Sequence, residues 1–325
     1  MQTTLKPTLN YEPVRTGPAR DETRAGLLYG LGAYLSWGVV AMYFKLVAHV
    51  PALTVLANRI VWSALFLAIV TAVRGSTREL REPLRRHDVL WALAGSTVLI
   101  AVNWFTFIYA IEHSALLHAS LGYFINPLVS VLLGFVFLRE RLRPWQIVGV
   151  ILAAAGVAIL TARQGTVPWI ALVLAVSFGF YGLLRKVMHI GALAGLTVET
   201  WLLFVPSLVV VVVYAARDPA RFVGLGVRTH LLLALSGVIT AVPLLMFAAA
   251  ARRLRLSTMG FMQYIAPTCQ FLLAVFLYDE PFTRAHMLTF GLIWAALLVY
   301  TLESYVDYRR RAAPAVAAPT VEPEI

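Results

Sequence analysis

The sequence predicts an all-α integral membrane protein with ten transmembrane helices, arranged as two inverted five-helix repeats. The chain of 325 residues is 60% hydrophobic and only 13% charged, with a mean hydropathy of +0.78. A soluble domain carries roughly twice that charge. Ten apolar segments approach the ~20 residues that a helix needs to cross a bilayer. A pattern of residues also recurs 140 positions apart, because Pro127 and Glu140 return as Pro267 and Glu280.

The predicted spans are the apolar segments between the charged loops. In chain order they are Ala25–Ala48, Leu53–Ala72, Val89–Ile111, Ala115–Leu138, Trp145–Ala162, Pro168–Leu184, Leu196–Ala216, Leu231–Ala251, Ser257–Leu277 and Met287–Leu302. The first repeat is predicted over residues 24–163 and the second over residues 164–306. Residues 1–23 and the basic segment 307–325 are predicted to be disordered tails.

The distribution of basic residues predicts the orientation. If the N-terminus is cytoplasmic, 20 of the 27 Lys and Arg residues fall in cytoplasmic segments and 5 in outer loops, while Lys45 and Arg59 lie within spans. This bias places both termini in the cytoplasm by the positive-inside rule and requires an even number of spans. It also explains the net charge of +11 without a nucleic-acid partner.

Further matches at or near the same offset extend the repeat. Ser96-Thr97-Val98 meets Ser236-Gly237-Val238 at 140 residues, and Ser36-Trp37-Gly38 meets Ser177-Phe178-Gly179 at 141. Because five spans is an odd number, the second copy must enter the membrane in the opposite direction. Inverted repeats are typical of secondary transporters, which bind their substrate near the midplane between the copies.

Two charged residues are candidates for recognition or coupling. Arg59 lies about two turns inside the second span, where a charge is costly unless it pairs, faces water or extends to the interface. Glu199 begins the seventh span, which corresponds to the second span in the other repeat. Because the repeat is inverted, direct pairing of Arg59 with Glu199 stays open, and either residue could simply lie at the interface. A buried Glu199 could carry a coupling proton.

Polar residues and prolines at membrane depth form the second group of candidates. Such groups are expensive in lipid unless they line a cavity or pack against protein. Any one proline can be a structural kink, but these fall on matching spans of both repeats. The predicted substrate-binding residues are Trp37, Asn103, Trp104, Tyr123, Asn126, Gln263 and Tyr264, and the predicted helix breaks are Pro127, Pro243 and Pro267.

Enzymatic signatures are absent from the sequence. It contains no HExxH, no Walker loop and no Cys/His metal spacing, so we expect no catalytic residue, no metal and no cofactor. The single cysteine, Cys269, is expected to be a small packing residue.

Several long blocks of sequence resemble the RarD proteins, EamA-type permeases of the drug/metabolite transporter superfamily. The blocks are AYLSWGVVAMYFK, ANRIVWS, NWFTFIYA, ASLGYFINPLVSVLLG, SFGFYGLLRK and TAVPLLMFAAAARRLRLSTMGFMQYIAPT. The resemblance covers residues 23–306. It implies a ten-helix permease of the bacterial cytoplasmic (inner) membrane. One departure is His118, which stands where the family often has an acidic residue.

The expected function is secondary active transport, with export of small organic metabolites or drugs by alternating access. The expected partners are a small-molecule substrate and the lipid bilayer, with proton or ion coupling as an option and a monomer or homodimer as the assembly. A passive channel and a non-transporting membrane protein are the alternatives. The substrate, the direction and the coupling ion stay open at this point.

Overall fold

The computed structural model describes residues 20–74, 87–139, 144–188, 192–251, 253–254 and 262–312. Helices form nearly all of this described part, which contains no β-strand. Glu140 and most of both predicted tails lie outside the described residues. Within them, the first helix already begins at Arg20 and the last continues to Ala312, past the predicted tail limits at residues 23 and 307.

Ten helices follow one another along the described chain. They are α1 Arg20–Leu46, α2 Ala52–Val73, α3 His87–Glu112, α4 Leu116–Leu138, α5 Pro144–Gln164, α6 Trp169–Met188, α7 Ala192–Arg217, α8 Gly226–Ala251, α9 Ile265–Leu272 with the π-helical turn Leu273–Leu277, and α10 Arg284–Ala312. A short helix, Pro219–Gly224, precedes α8.

Eight of these helices are long and apolar enough to cross a membrane, and α6 and α9 are shorter apolar helices. The difference is greatest at α9, which the sequence predicts as one span over Ser257–Leu277. In the described part, the chain turns at Gln263 and Tyr264 before the helix begins at Ile265. Pro267 has no N–H for the preceding turn, which favours a helix that starts close to the proline. Residues 257–261 lie outside the described part.

The helices pack in a consistent set of pairs. The most extensive packing joins α5 to α10, α4 to α6, α2 to α7 and α8, α1 to α8, and α3 to α6. One large cluster of buried apolar side chains runs through these contacts. Small residues allow the closest approaches, as expected in membrane helices, where hydrophobic burial does not drive helices together.

The contact between α2 and α8 depends on Gly237. A Cβ at Gly237 would lie 2.6 Å from the carbonyl oxygen of Trp62, so the two backbones touch at this point. One turn further along α8 lies Thr240, and nearly one turn before Trp62 lies Arg59. The glycine therefore brings the second span and the eighth into direct contact beside the buried arginine.

We predict that Gly237→Ala lowers the thermal stability of the purified protein. The added methyl group meets backbone atoms that cannot rotate away, and overpacking of this kind costs about 1–3 kcal/mol. The matched control is Gly291→Ala in α10, where no atom lies within 4 Å of the added Cβ and alanine favours the helix by up to ~1 kcal/mol. Equal melting temperatures for the two variants in detergent would contradict the prediction.

Candidate functional site

Arg59 is a buried cation in the middle of the helix bundle. Its side chain is 9% exposed, and its Nε donates a 2.7 Å hydrogen bond to Thr240 Oγ1 of α8. The guanidinium carbon lies 4.3 Å from the centre of the Trp104 ring and 5.5 Å from that of Phe44. Desolvated cation–π contacts are worth up to about 2 kcal/mol. Two separately predicted residues, Arg59 of α2 and Trp104 of α3, are thus in direct contact.

Asn103 connects the neighbourhood of Arg59 to α6. Its side chain is 1% exposed, and its Nδ2 donates to Leu174 O at 3.0 Å and to Ser177 Oγ at 3.1 Å. Its Oδ1 accepts a 3.3 Å hydrogen bond from the Tyr123 hydroxyl. Two of the predicted binding residues, on α3 and α4, are therefore joined to each other and to a helix of the second half of the chain.

Glu199 lies in a different place and has a different cation. It is 1% exposed, and its Oε1 accepts a 2.7 Å hydrogen bond from Ser96 Oγ of α3. Arg185 Nη1 of α6 lies 3.9 Å from the same oxygen, and the Tyr181 hydroxyl lies 3.4 Å from Oε2. The open question of pairing is thereby answered, because Glu199 pairs with Arg185 and not with Arg59.

Pro127 of α4 and Pro267 of α9 belong to two helices that pack against each other. Both are buried, and Ser120 Oγ of α4 donates a 2.9 Å hydrogen bond to the Pro267 carbonyl of α9. Asn126 is 9% exposed, and its Oδ1 accepts no hydrogen bond from the described residues. Asn126 shares a helix face with Gly122 and Val129, both of which contact α6, so this predicted binding residue faces the second half of the chain.

Trp37 belongs to a separate aromatic group. Its ring packs at 5.4 Å from Tyr34 and 5.6 Å from Phe247, and its carbonyl accepts a 3.1 Å hydrogen bond from Gln270 Nε2 of α9. Tyr264 directly precedes Ile265, the first residue of α9. The described contacts do not join this group to Arg59.

Two further predicted residues, Gln263 and Pro243, lie in different elements of the second half of the chain. Gln263 is half-buried in the turn before α9, and Pro243 is buried in α8. No described contact brings either residue to Arg59 or to Asn103. Several of the predicted residues thus fall into three groups, around Arg59, around Glu199 and around Trp37, while Asn126, Gln263 and Pro243 are joined to none of them by a described hydrogen bond or ring contact.

A fourth polar group closes one end of the bundle. Glu280 follows α9, and its two carboxylate oxygens accept hydrogen bonds of 2.7 Å each from the backbone N–H groups of Leu116 and Leu117 at the start of α4. A carboxylate there satisfies donors that the helix itself leaves free. Burial raises the pKa of Glu280, against the opposing effects of these N–H groups and of the Lys45 charge.

A cavity of 270 Å³ adjoins Glu280. His118 and His286 approach each other across it, with ring centroids 5.8 Å apart, and Gln164 Nε2 lies 2.9 Å from His286 Nε2. Among the described residues, no group of three or more His, Cys, Asp or Glu is placed to hold a metal ion.

The sequence does not indicate which residues hold the two buried charges. Neither Thr240, the partner of Arg59, nor Arg185, the partner of Glu199, stands out by type or position, and Ser96 is marked only by its repetition at Ser236. One signal was available: Arg59 and Glu199 stand 140 residues apart, the same offset that relates Ser96 to Ser236. Opposite charges at positions that the predicted repeat makes equivalent predict a polar group at this level of each copy.

Comparison with known proteins gives the family. The model of the EamA-like transporter family matches residues 24–162. Uncharacterized transporter YojE of Bacillus subtilis is 44% identical over 293 residues, 89% of this chain and 97% of that protein. Protein RarD of Salmonella typhimurium is 44% identical over 292 residues, 89% of this chain and 99% of that one. The chain belongs to the RarD family of EamA-like transporters.

The fold of this RarD-family protein also has a counterpart among solved structures. A crystal structure with 22% sequence identity superposes with a TM-score of 0.56, covering 90% of this chain and 99% of its own. Together with the apolar helices, the family makes this chain a multi-pass bacterial membrane protein. Membership of a transporter family implies transport rather than catalysis.

We predict that Glu280→Gln removes one pH-dependent contribution to the stability of this RarD-family protein. Because burial raises the pKa of Glu280, the folded protein binds a proton there more readily than the unfolded chain. The resulting stabilisation is present below the ordinary glutamate pKa of about 4.3 and is lost as the pH rises through the raised pKa.

The measurement is the melting temperature of both proteins across this pH range. The charged and titratable groups that face Glu280 are Lys45, His118 and His286, and both proteins contain them, so the difference between the two curves isolates Glu280. Parallel curves would contradict the prediction.

Proposed function

We propose that this chain is a secondary active transporter that exports small organic metabolites or drugs. It works by alternating access between two inverted five-helix repeats, α1–α5 and α6–α10. The observation that carries this proposal is the pair of buried charges at equivalent positions. Arg59 of α2 bonds to Thr240 of α8, and Glu199 of α7 bonds to Ser96 of α3. Each charge is thus held by a hydroxyl of the other repeat.

The packing of the helices supports the inverted repeats. If α6–α10 repeat α1–α5, the contact between α1 and α8 must correspond to one between α6 and α3. Likewise, the contact between α4 and α6 must correspond to one between α9 and α1. Both corresponding pairs of helices are in contact. The pairs α2 with α7, α4 with α9 and α5 with α10 map onto themselves, as a two-fold relation requires.

The backbone after α4 and α9 supports the same relation. Arg139 ends α4 with φ 54°, and Asp279 follows α9 with φ 49°. Residues other than glycine rarely adopt this left-handed conformation. Its occurrence at two positions 140 residues apart favours a common origin for the two halves.

The polar groups at the interface of the repeats support a binding site there. Asn103 and Tyr123 belong to the first repeat, and their hydrogen-bond partner helix, α6, belongs to the second. Neutral polar side chains can join membrane helices by hydrogen bonds alone, but an ionisable residue within a span marks a substrate or ion pathway. Such a residue, Arg59, contacts Trp104, which is the neighbour of Asn103. The proposed binding region lies next to Arg59 and Asn103, and Asn126 faces α6 from the same side of the first repeat as Tyr123.

Glu280 is proposed to close one end of the transport path. Its hydrogen bonds join the connection between α9 and α10 to the start of α4, so they hold the two repeats together at that end. With both termini in the cytoplasm, this is the outer end. Opening it requires that the two hydrogen bonds from the N–H groups to the carboxylate break, which is possible within a two-state cycle because each is worth only about 1–3 kcal/mol. Glu199, paired with Arg185, is the proposed site of proton coupling.

The transport proposal is tested first in cells and then in proteoliposomes. Small molecules are compared inside and outside bacteria that express or lack the protein, and the responding solute is then assayed with the purified chain. A carrier predicts a rate that saturates and that increases when the same solute is present on the opposite side, because each solute occupies the site during one conformational cycle. A linear rate without exchange would indicate a passive channel, and no responding solute would indicate a non-transporting protein.

The proposed role of Glu280 is tested by chemical labelling. With Cys269 replaced by alanine, a cysteine is introduced at Ser120, which is fully buried one turn below Leu116 and Leu117. We expect Glu280→Ala to raise the labelling rate roughly tenfold, because losing about 1.4 kcal/mol of closure energy increases the open population by that factor. Arg284→Ala, at the exposed start of α10, is the control. An unchanged rate in Glu280→Ala would exclude this contact as a gate.

A further inference from the structure

We infer that Arg59 binds the carboxylate of the transported solute, so that the substrates are small organic acids with an apolar or aromatic body. This inference rests on the proposed function, since it assigns the chemistry of the same binding region. It depends on three observations: within the described part of the protein the charge of Arg59 has no anionic partner, one edge of its guanidinium has no acceptor there, and two aromatic rings contact it.

The charge of Arg59 is not neutralised within the described part of the protein. The nearest candidate, Glu199, is paired with Arg185 and bonded to Ser96. No other carboxylate of the described residues lies within ion-pair distance of Arg59, whose partners among them are a hydroxyl and two rings. A buried charge is strongly unfavourable without a counter-charge. An anion that arrives from outside would supply it.

The guanidinium also retains hydrogen-bonding capacity. Arginine has five N–H donors in a fixed plane, and here only Nε donates to an acceptor among the described residues, Thr240 Oγ1. Trp104 covers one face of the plane at 4.3 Å, which leaves the edge formed by the two Nη atoms. That edge matches the two oxygens of a carboxylate, which accept two parallel hydrogen bonds.

The surroundings of Arg59 favour an acid with an apolar body over a bare inorganic anion. Phe44 packs at 6.3 Å from Phe107, which in turn lies 5.9 Å from Tyr123. Trp104 lies on the guanidinium itself, so aromatic side chains are grouped next to the cation. Ligand sites of this kind combine apolar walls with a few polar groups that fix orientation. The acid would place its carboxylate on Arg59 and its apolar part on the rings.

The test compares matched pairs of an acid and its amide. The full-length protein in detergent is heated with benzoate or benzamide, and with phenylacetate or phenylacetamide, at constant ionic strength. We expect each acid to raise the melting temperature by on the order of 3 °C at about ten times its Kd, and we expect the neutral amides, which have the same shape, to leave it unchanged. Sodium chloride replaces the acid in a further sample.

Variants then assign the effect to Arg59. The shift should disappear in Arg59→Gln and be reduced in Arg59→Lys, because an ammonium group cannot present the bidentate edge. Arg74→Gln, at the exposed end of α2, should keep the full shift. If Arg59→Gln does not fold, the comparison of acid with amide on the wild-type protein and on Arg59→Lys still decides the question.

Four results would overturn the inference: equal shifts with acid and amide, a similar shift with chloride, a shift retained in Arg59→Gln, or no shift with any acid. The outcome is separable from that of the transport proposal. Saturable exchange of a neutral solute without binding of acids would leave transport standing and remove the anion site. Binding of acids without exchange would leave the anion site standing and contradict the transport proposal.

Discussion

The constraint on which the structure depends is the burial of charge in an apolar bundle. A charged side chain in the interior of a membrane protein must be held by other polar groups, since lipid offers none. Arg59 therefore fixes α2 against α8 through Thr240 and against α3 through Trp104. Glu199 does the same for α7, α3 and α6. These contacts are directional, whereas the surrounding apolar packing is not, and they set how the two halves of the chain face each other.

Local sequence was sufficient for the helices but not for their irregularities. Hydropathy places helix boundaries within a few residues for most spans, because the length and the apolar composition of a membrane helix are both set by the bilayer. It failed at the ninth segment, where the chain turns at Gln263 and Tyr264 and α9 ends in a π-helical turn. Apolar residues such as Leu273–Leu277 fit α- and π-helical geometry equally well, so composition alone cannot distinguish them.

The sequence predicts which residues belong to the candidate site, but not which residues they contact. Polar groups are costly at membrane depth, which predicts a role for Arg59, Trp104, Asn103 and Tyr123. The structure joins them in two contacting pairs, Arg59 with Trp104 and Asn103 with Tyr123. The partner of Glu199 was not predictable, because it depends on how α6 and α7 pack. Arg185 ends its span in sequence like any interfacial basic residue, and only the tertiary fold turns it toward a buried carboxylate.

The π-helical turn at the end of α9 bears on how this helix tolerates changes in length. A π-helical turn accommodates one residue more than the α-helix would, so α9 carries the equivalent of an insertion within Leu273–Leu277. Deleting one residue there would restore a regular helix and leave the residues that follow at nearly the same rotation, because the π-helical turn already absorbs the extra residue. Glu280 would then stay close to the start of α4. A deletion in a regular part of an α-helix, by contrast, rotates everything that follows by roughly 100°.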